Sequence, residues 1–296
     1  MGIPVPLAEF FLAEHQFRPL SGNMLSLGRQ TILFGEEVLV RLLQGRAVSH
    51  RLNVVQIDQV TIEARQSPEM KFITDESFFG SFSDAQYDVL DVSDYENATI
   101  IHDLCKPLPA ELIGRFDFIF NGSVLDNIFD PAAALRNISL MLKPNGRVVH
   151  IEMASNLAFE YLIYSPDWFL DYYVANGFSD CKIYVCTFRD VDELKYGPWR
   201  VFSYSPRAGA GCTLREVVTD HAVLVVVAEK NAGSTWNQSP IQWCYRGQEG
   251  ANEFLRSFAK FDASRPLTMF GGHNYDVLQP QAGGYIDCGI TMTARG

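Results

Sequence analysis

The 296-residue sequence lacks several features that would assign it quickly. No CxxC pair occurs among its six cysteines (105, 181, 186, 212, 244 and 288), so neither a zinc ribbon nor a thioredoxin-type redox motif is signalled. No HxH or HxxxH pair occurs among its six histidines, and no metal is expected. GxGxxG and GxxxxGK[ST] are both missing, which excludes a P-loop and argues against a nicotinamide dehydrogenase. Long apolar runs are missing too: the longest, residues 222–228, falls far short of the roughly 20 needed to cross a bilayer. The first residues, Met1-Gly2-Ile3-Pro4, lack the basic start and apolar core of a signal peptide. Positive charge is in deficit, 24 Lys and Arg against 35 Asp and Glu, so nucleic acid is not an expected partner. The expectation is a cytoplasmic protein with free thiols and no membrane contact.

What is present is an ordinary globular composition, 47% hydrophobic and 20% charged. A helix is predicted over 5–18, a strand over 23–28 and a helix over 34–43. Strands are predicted over 52–62, 87–92, 99–104 and 116–122, with a short capped helix at 73–79 between the first two. A helix over 132–142, stopped by Lys143-Pro144-Asn145-Gly146, leads to a strand over 147–152. A helix at 167–176, a strand at 180–187, a loop over 195–211 and a strand at 221–229 follow. Strands alternating with helices predict an α/β fold: a wound, mostly parallel sheet covered on both faces. The expected organisation is an N-terminal helical segment (1–22), an α/β domain (23–230) with an insertion at about 46–86, and a C-terminal extension (231–296).

Ligands of such sheets bind beyond the carboxyl ends of the strands. Gly28 follows the first strand, where a missing Cβ lets a ligand approach; the plain alternative is a turn glycine. Asp91 ends a later strand and offers two acceptors to a ribose diol, or serves as a loop or cap aspartate. Asp58 is its rival if the second strand is 53–57. Asp103 and Leu104 open the next loop, and Asn121-Gly122-Ser123 the one after.

The stretches Tyr87-Asp88-Val89-Leu90-Asp91-Val92, Ile100-Ile101-His102-Asp103-Leu104 and Phe116-Asp117-Phe118-Ile119-Phe120-Asn121-Gly122 resemble a subgroup of class I S-adenosylmethionine (SAM) dependent methyltransferases. So does Leu142-Lys143-Pro144-Asn145-Gly146-Arg147-Val148-Val149. The resemblance covers about residues 25–178. It implies a Rossmann-like, seven-stranded sheet whose last strand, at 221–229, is antiparallel. It also implies SAM as cofactor, held by Gly28 and Gln30 at the methionine end, Asp91 and Val92 at the ribose, Asp103 and Leu104 at the adenine, and Asn121 and Gly122 beside the sulfonium. It favours Asp91 over Asp58. His150 and Glu152 are the candidate bases on the fifth strand, and Tyr161, Tyr164 and Trp168 the candidate substrate contacts. The expected function is O- or N-methylation of a small molecule such as a sugar or secondary metabolite, with the extension covering the site or forming a homodimer contact. The chain departs from the family pattern by following Gly28 with Arg29 and Gln30, and by carrying Asp126-Asn127 after the fourth strand. The alternative those departures raise is a catalytically silent binding or scaffold protein.

Overall fold

The computed structural model describes residues 2–155, 160–204, 221–242, 245–264 and 285–292. Helix α1 (Val5–Phe17) opens the chain, followed by β1 (Asn23–Leu27) and α2 (Glu36–Gly45). Then come α3 (Ile62–Gln66), α4 (Asp75–Phe82), β2 (Gln86–Asp91), β3 (Ile100–Ile101) and β4 (Phe116–Gly122). Helix α5 (Pro131–Met141), β5 (Leu142–Met153), α6 (Pro166–Ala175), β6 (Asp180–Phe188), α7 (Val191–Tyr196) and β7 (Trp199–Tyr204) continue the alternation. The chain closes with β8 (His221–Glu229), α8 (Gly247–Ser264) and β9 (Tyr285–Met292).

The strands form one sheet in the order β3-β2-β1-β4-β5-β8-β6-β7-β9. Strands β1 to β5 pair in parallel, and β8 inserts antiparallel between β5 and β6. This is a Rossmann-like wound sheet with the expected antiparallel strand at 221–229. Two further antiparallel strands, β7 and β9, extend it from the expected seven strands to nine among the described residues. Strand β9 comes from the C-terminal extension, which therefore adds to the same sheet.

Period-two alternation sorts the strands' apolar side chains onto two faces. On one face Met24, Phe118, Phe120, Val149, Ile151, Val223 and Val225 pack with α1, α2 and α4. On the other Leu25, Ile119, Val148, Leu224 and Val226 pack with α5, α6 and α8. Helix α1 is buried almost all round, and its Phe11 makes edge contacts with Phe79 and Phe120 at centroid distances of 5.1 and 4.9 Å. Fully buried Glu14 of α1 forms an ion pair with Arg147 of β5. The guanidinium group also donates to the carbonyls of Arg18 and Pro19.

Three local expectations are corrected. Residues 52–62 are not a strand: Val55 N–H turns back to Leu52 O, Gln56 N–H donates to Ser77 Oγ, and Asp58 caps the amides of Val60 and Thr61. Those amides are spent on turns and side chains, leaving only an isolated bridge between Ile57 and Ile73. The strand at 99–104 shrinks to Ile100–Ile101, because the Asp103 carboxylate accepts from Cys105 N–H and turns the chain. The loop expected over 195–211 contains the end of α7 and all of β7; residues 205–211 lie outside the described residues.

Candidate active site

The strand order places the carboxyl ends of β3, β2, β1 and β4 side by side. Gly28 leaves β1 with φ +69°, a conformation that penalises any Cβ, and its N–H donates to Leu90 O of β2 at 2.8 Å. A Cβ built on Gly28 would lie 3.7 Å from Asp91 Oδ2, so the glycine backbone and the carboxylate face one another across neighbouring strand ends. Asp91 is half-buried and accepts from Ser93 N–H at 3.2 Å, while Val92 beside it is exposed. Half-buried Asp103 sits at the mouth of β3, and Leu104 is buried, its carbonyl accepting from Asn137 Nδ2 at 2.7 Å. Asp58 lies in a turn instead, with Oδ2 accepting from Thr61 Oγ1. The paired second strand ends at Asp91.

The other half of the crevice is filled by Gln30. A Cβ on Gly122 would clash with Gln30 Oε1 and lie 2.6 Å from its Cδ and 2.8 Å from its Nε2. The carboxamide thus lies flat on the Gly122 backbone, in the space a side chain at 122 would need. Nε2 donates to Leu27 O at 3.3 Å, while Oε1 is buried without a hydrogen-bond partner among the described residues. The residues therefore fit an adenosyl group in one half only: a half-buried carboxylate at Asp91 beside a backbone cradle at Gly28, then an obstructing side chain over Gly122.

The loop carrying Gln30 is fixed by Asp75 at the start of α4. This buried carboxylate accepts from Arg29 Nη1 at 3.0 Å, Gln30 N–H at 2.9 Å and Tyr87 Oη at 2.8 Å. Arg29 also donates to the carbonyls of Glu96 and Asn97, tying the β2 exit loop to the same hub. Burial first, then Asp75, pushes the Tyr87 hydroxyl well above its ordinary pKa.

On the opposite face, below β4 and β5, lies a buried polar network. Asn121 Nδ2 contacts His150 Nδ1 at 2.9 Å and donates to Glu152 Oε1. His150 Nε2 meets Tyr173 Oη at 2.6 Å. Glu152 also accepts from the amides of Leu125 and Asp126. His150 has no exposed surface, and desolvation lowers its pKa to about 3, so it stays neutral. Glu152 is equally buried; desolvation, then the neighbouring Asp126, raises its pKa well above the usual carboxylate value. Neither expected base is presented to a ligand: both are engaged beneath the strand ends.

Of the expected substrate contacts, Tyr164 is buried with its hydroxyl donating to Leu125 O, and Trp168 packs on it at 4.7 Å between centroids. Tyr161 is exposed and makes an edge contact with Phe129 at 6.3 Å. Phe129 has 93% of its surface exposed, which sequence pattern gave no means of finding. Among the described residues no group of three or more His, Cys, Asp or Glu side chains could hold a metal.

No family model matches the chain, and no curated protein matches it. Solved structures align with it at low similarity. The CMeT domain of the citrinin polyketide synthase aligns at 12% identity and TM-score 0.40, over 77% of this chain and 52% of that one. Phosphoethanolamine N-methyltransferase 2 of Haemonchus contortus, in complex with S-adenosylhomocysteine, aligns at 14% identity and TM-score 0.40, over 77% and 54%. A SAM-dependent methyltransferase from Thermotoga maritima aligns at 13% identity and TM-score 0.38, over 77% and 90%. The aligned part spans about half the length of the first two.

Proposed function

We propose that the edge formed by β1, β2 and β3 binds an adenosyl cofactor, and that the chain is a SAM-dependent methyltransferase for a small-molecule acceptor, methylated at oxygen or nitrogen. The observation that carries this reading is the juxtaposition of Gly28, at positive φ, with the half-buried carboxylate of Asp91 at the carboxyl ends of adjacent parallel strands. Asp91 would accept from the ribose hydroxyls, the Gly28 backbone would underlie the 5′ side, and Val92, Asp103 and Leu104 would border the base. When bound, the cofactor supplies an electrophilic methyl group on a sulfonium.

The chain's own contribution is alignment and exclusion of water. Tyr161 and Phe129 would line the acceptor's approach, and a sugar or a polar secondary metabolite is the acceptor class in view. His150 and Glu152 would hold Asn121 and the β4 exit in place instead of exchanging protons with substrate. A cytoplasmic setting, independence of nucleic acid and membrane, and a homodimer belong to the same proposal. Among the described residues no helix is long and apolar enough to cross a membrane.

Calorimetry with S-adenosylhomocysteine tests the reading. Asp91→Ala is expected to weaken binding by about 1.5–3 kcal/mol, the loss of a charged acceptor's hydrogen bonds. Unchanged affinity would move the ribose contact elsewhere. One observation favours a second reading, a catalytically silent binding protein: Gln30 lies where the sulfonium end would lie. Absence of both heat and thermal shift with SAM and S-adenosylhomocysteine would favour that alternative.

A further inference from the structure

Gln30 is 3% exposed, yet among the described residues only one side-chain hydrogen bond holds it, the long 3.3 Å contact from Nε2 to Leu27 O. Its Oε1 finds no partner among the described residues, although a buried amide oxygen ordinarily has one. Its backbone is fixed by the 2.9 Å bond to Asp75, itself held by Arg29 and Tyr87. Rotating the side chain would keep the backbone bond to Asp75 and break, among the described residues, one weak side-chain hydrogen bond. The end it would vacate lies over Gly122, whose lack of a Cβ makes room for a flat group there. The neighbouring end, at Asp91, Val92 and Asp103, is already accessible.

Building on the nucleoside reading of this crevice, we propose that Gln30 is its specificity-determining residue. The carboxamide is a resident competitor for the position over Gly122. A nucleoside with no or a short neutral 5′ substituent binds beside it; an adenosyl ligand carrying an amino-acid chain binds only once Gln30 has rotated away. The apparent affinity for the longer ligand is thereby reduced by the fraction of molecules with Gln30 already withdrawn.

The test is calorimetry on the full chain with adenosine and S-adenosylhomocysteine, for the wild type, Gln30→Ala and Gln30→Leu. Gln30→Ala removes the obstruction and is expected to tighten S-adenosylhomocysteine roughly ten-fold, as when a withdrawn state of about a tenth becomes the whole population, with adenosine nearly unchanged. Gln30→Leu refills the space without polar atoms and should leave S-adenosylhomocysteine as weak as in the wild type. An unchanged ratio of the two affinities in Gln30→Ala, with adenosine still binding, overturns the competitor and spares the nucleoside reading. Failure of both ligands on all three proteins overturns that reading as well. A crystal of the wild type soaked in S-adenosylhomocysteine gives an answer independent of variant folding. Bound ligand with Gln30 turned off Gly122 supports the proposal; bound ligand with the carboxamide still seated there refutes it.

Discussion

Asp75 holds together the loop of the site that carries Gln30. A single carboxylate accepts from a guanidinium, a main-chain amide and a phenol, and sets the loop on which Gln30 sits. Its pair with Arg29 is largely buried, at 2% and 15% side-chain exposure. Breaking one partner of such a pair leaves the other desolvated. Asp75→Asn should cost about 3 kcal/mol, the low end of the usual range because Arg29 keeps some access to water. Urea unfolding measures this, and a loss under about 1 kcal/mol, the worth of an ordinary hydrogen bond, would show that Asp75 is no hub. The sequence offers Thr74 or Asp75 as the cap of the short helix at 73–79, and nothing more of Asp75. Its other partners lie 12 to 46 positions away, and spacing carries no trace of them.

Helix α4 illustrates what local pattern does convey. Thr74 is its N-cap, accepting from Ser77 N–H at 3.1 Å, and the sequence marks it by a small hydroxyl residue before an acidic first turn. Thr74→Ala should lower stability by about 1 kcal/mol and Thr74→Asp by much less, read from thermal or urea unfolding. Strand β4 was equally legible because every residue but Asp117 is buried and Phe116, Phe118, Ile119 and Phe120 dominate it. Strand β7 was not: Trp199, Val201 and Phe202 are buried, but a glycine-proline step precedes the strand and its partners are β6 and β9. The apolar strand that proved absent, at 52–62, failed for the converse reason: nearby side chains took its amides before any strand could. The same division holds in the site. Gly28 and Asp91 were legible because each ends a strand, whereas the position of the Gln30 side chain follows from tertiary packing alone.

Across the whole molecule, the acid response follows from the buried network. His150 titrates near 3 when folded and near 6.5 when unfolded, so below about pH 6.5 the unfolded chain binds the extra proton. Its contribution is full above pH 6.5 and drains away as the pH falls toward 3. Glu152 works in the opposite sense: its raised folded pKa gives a contribution present below about pH 4.5 and lost as the pH rises through the folded value. Two variants separate the two effects. His150→Gln should flatten the decline in unfolding free energy between pH 6.5 and 4. The stability difference between Glu152→Gln and wild type should shift in favour of the variant from pH 5 to pH 8. Parallel pH profiles for wild type and both variants would mean that neither group titrates differently on folding.

The ion pair joining Glu14 to Arg147 links residues 133 positions apart. A nascent chain must therefore extend 133 positions beyond Glu14 before α1 can meet its electrostatic mate. Until β5 emerges, Glu14 lacks the guanidinium with which it pairs in the folded chain. A shortened product beginning at β1 would strand the guanidinium in the reverse predicament. Pairing of α1 with β5 thus waits for β5, and a chain trimmed of α1 is expected to aggregate, as light scattering would show.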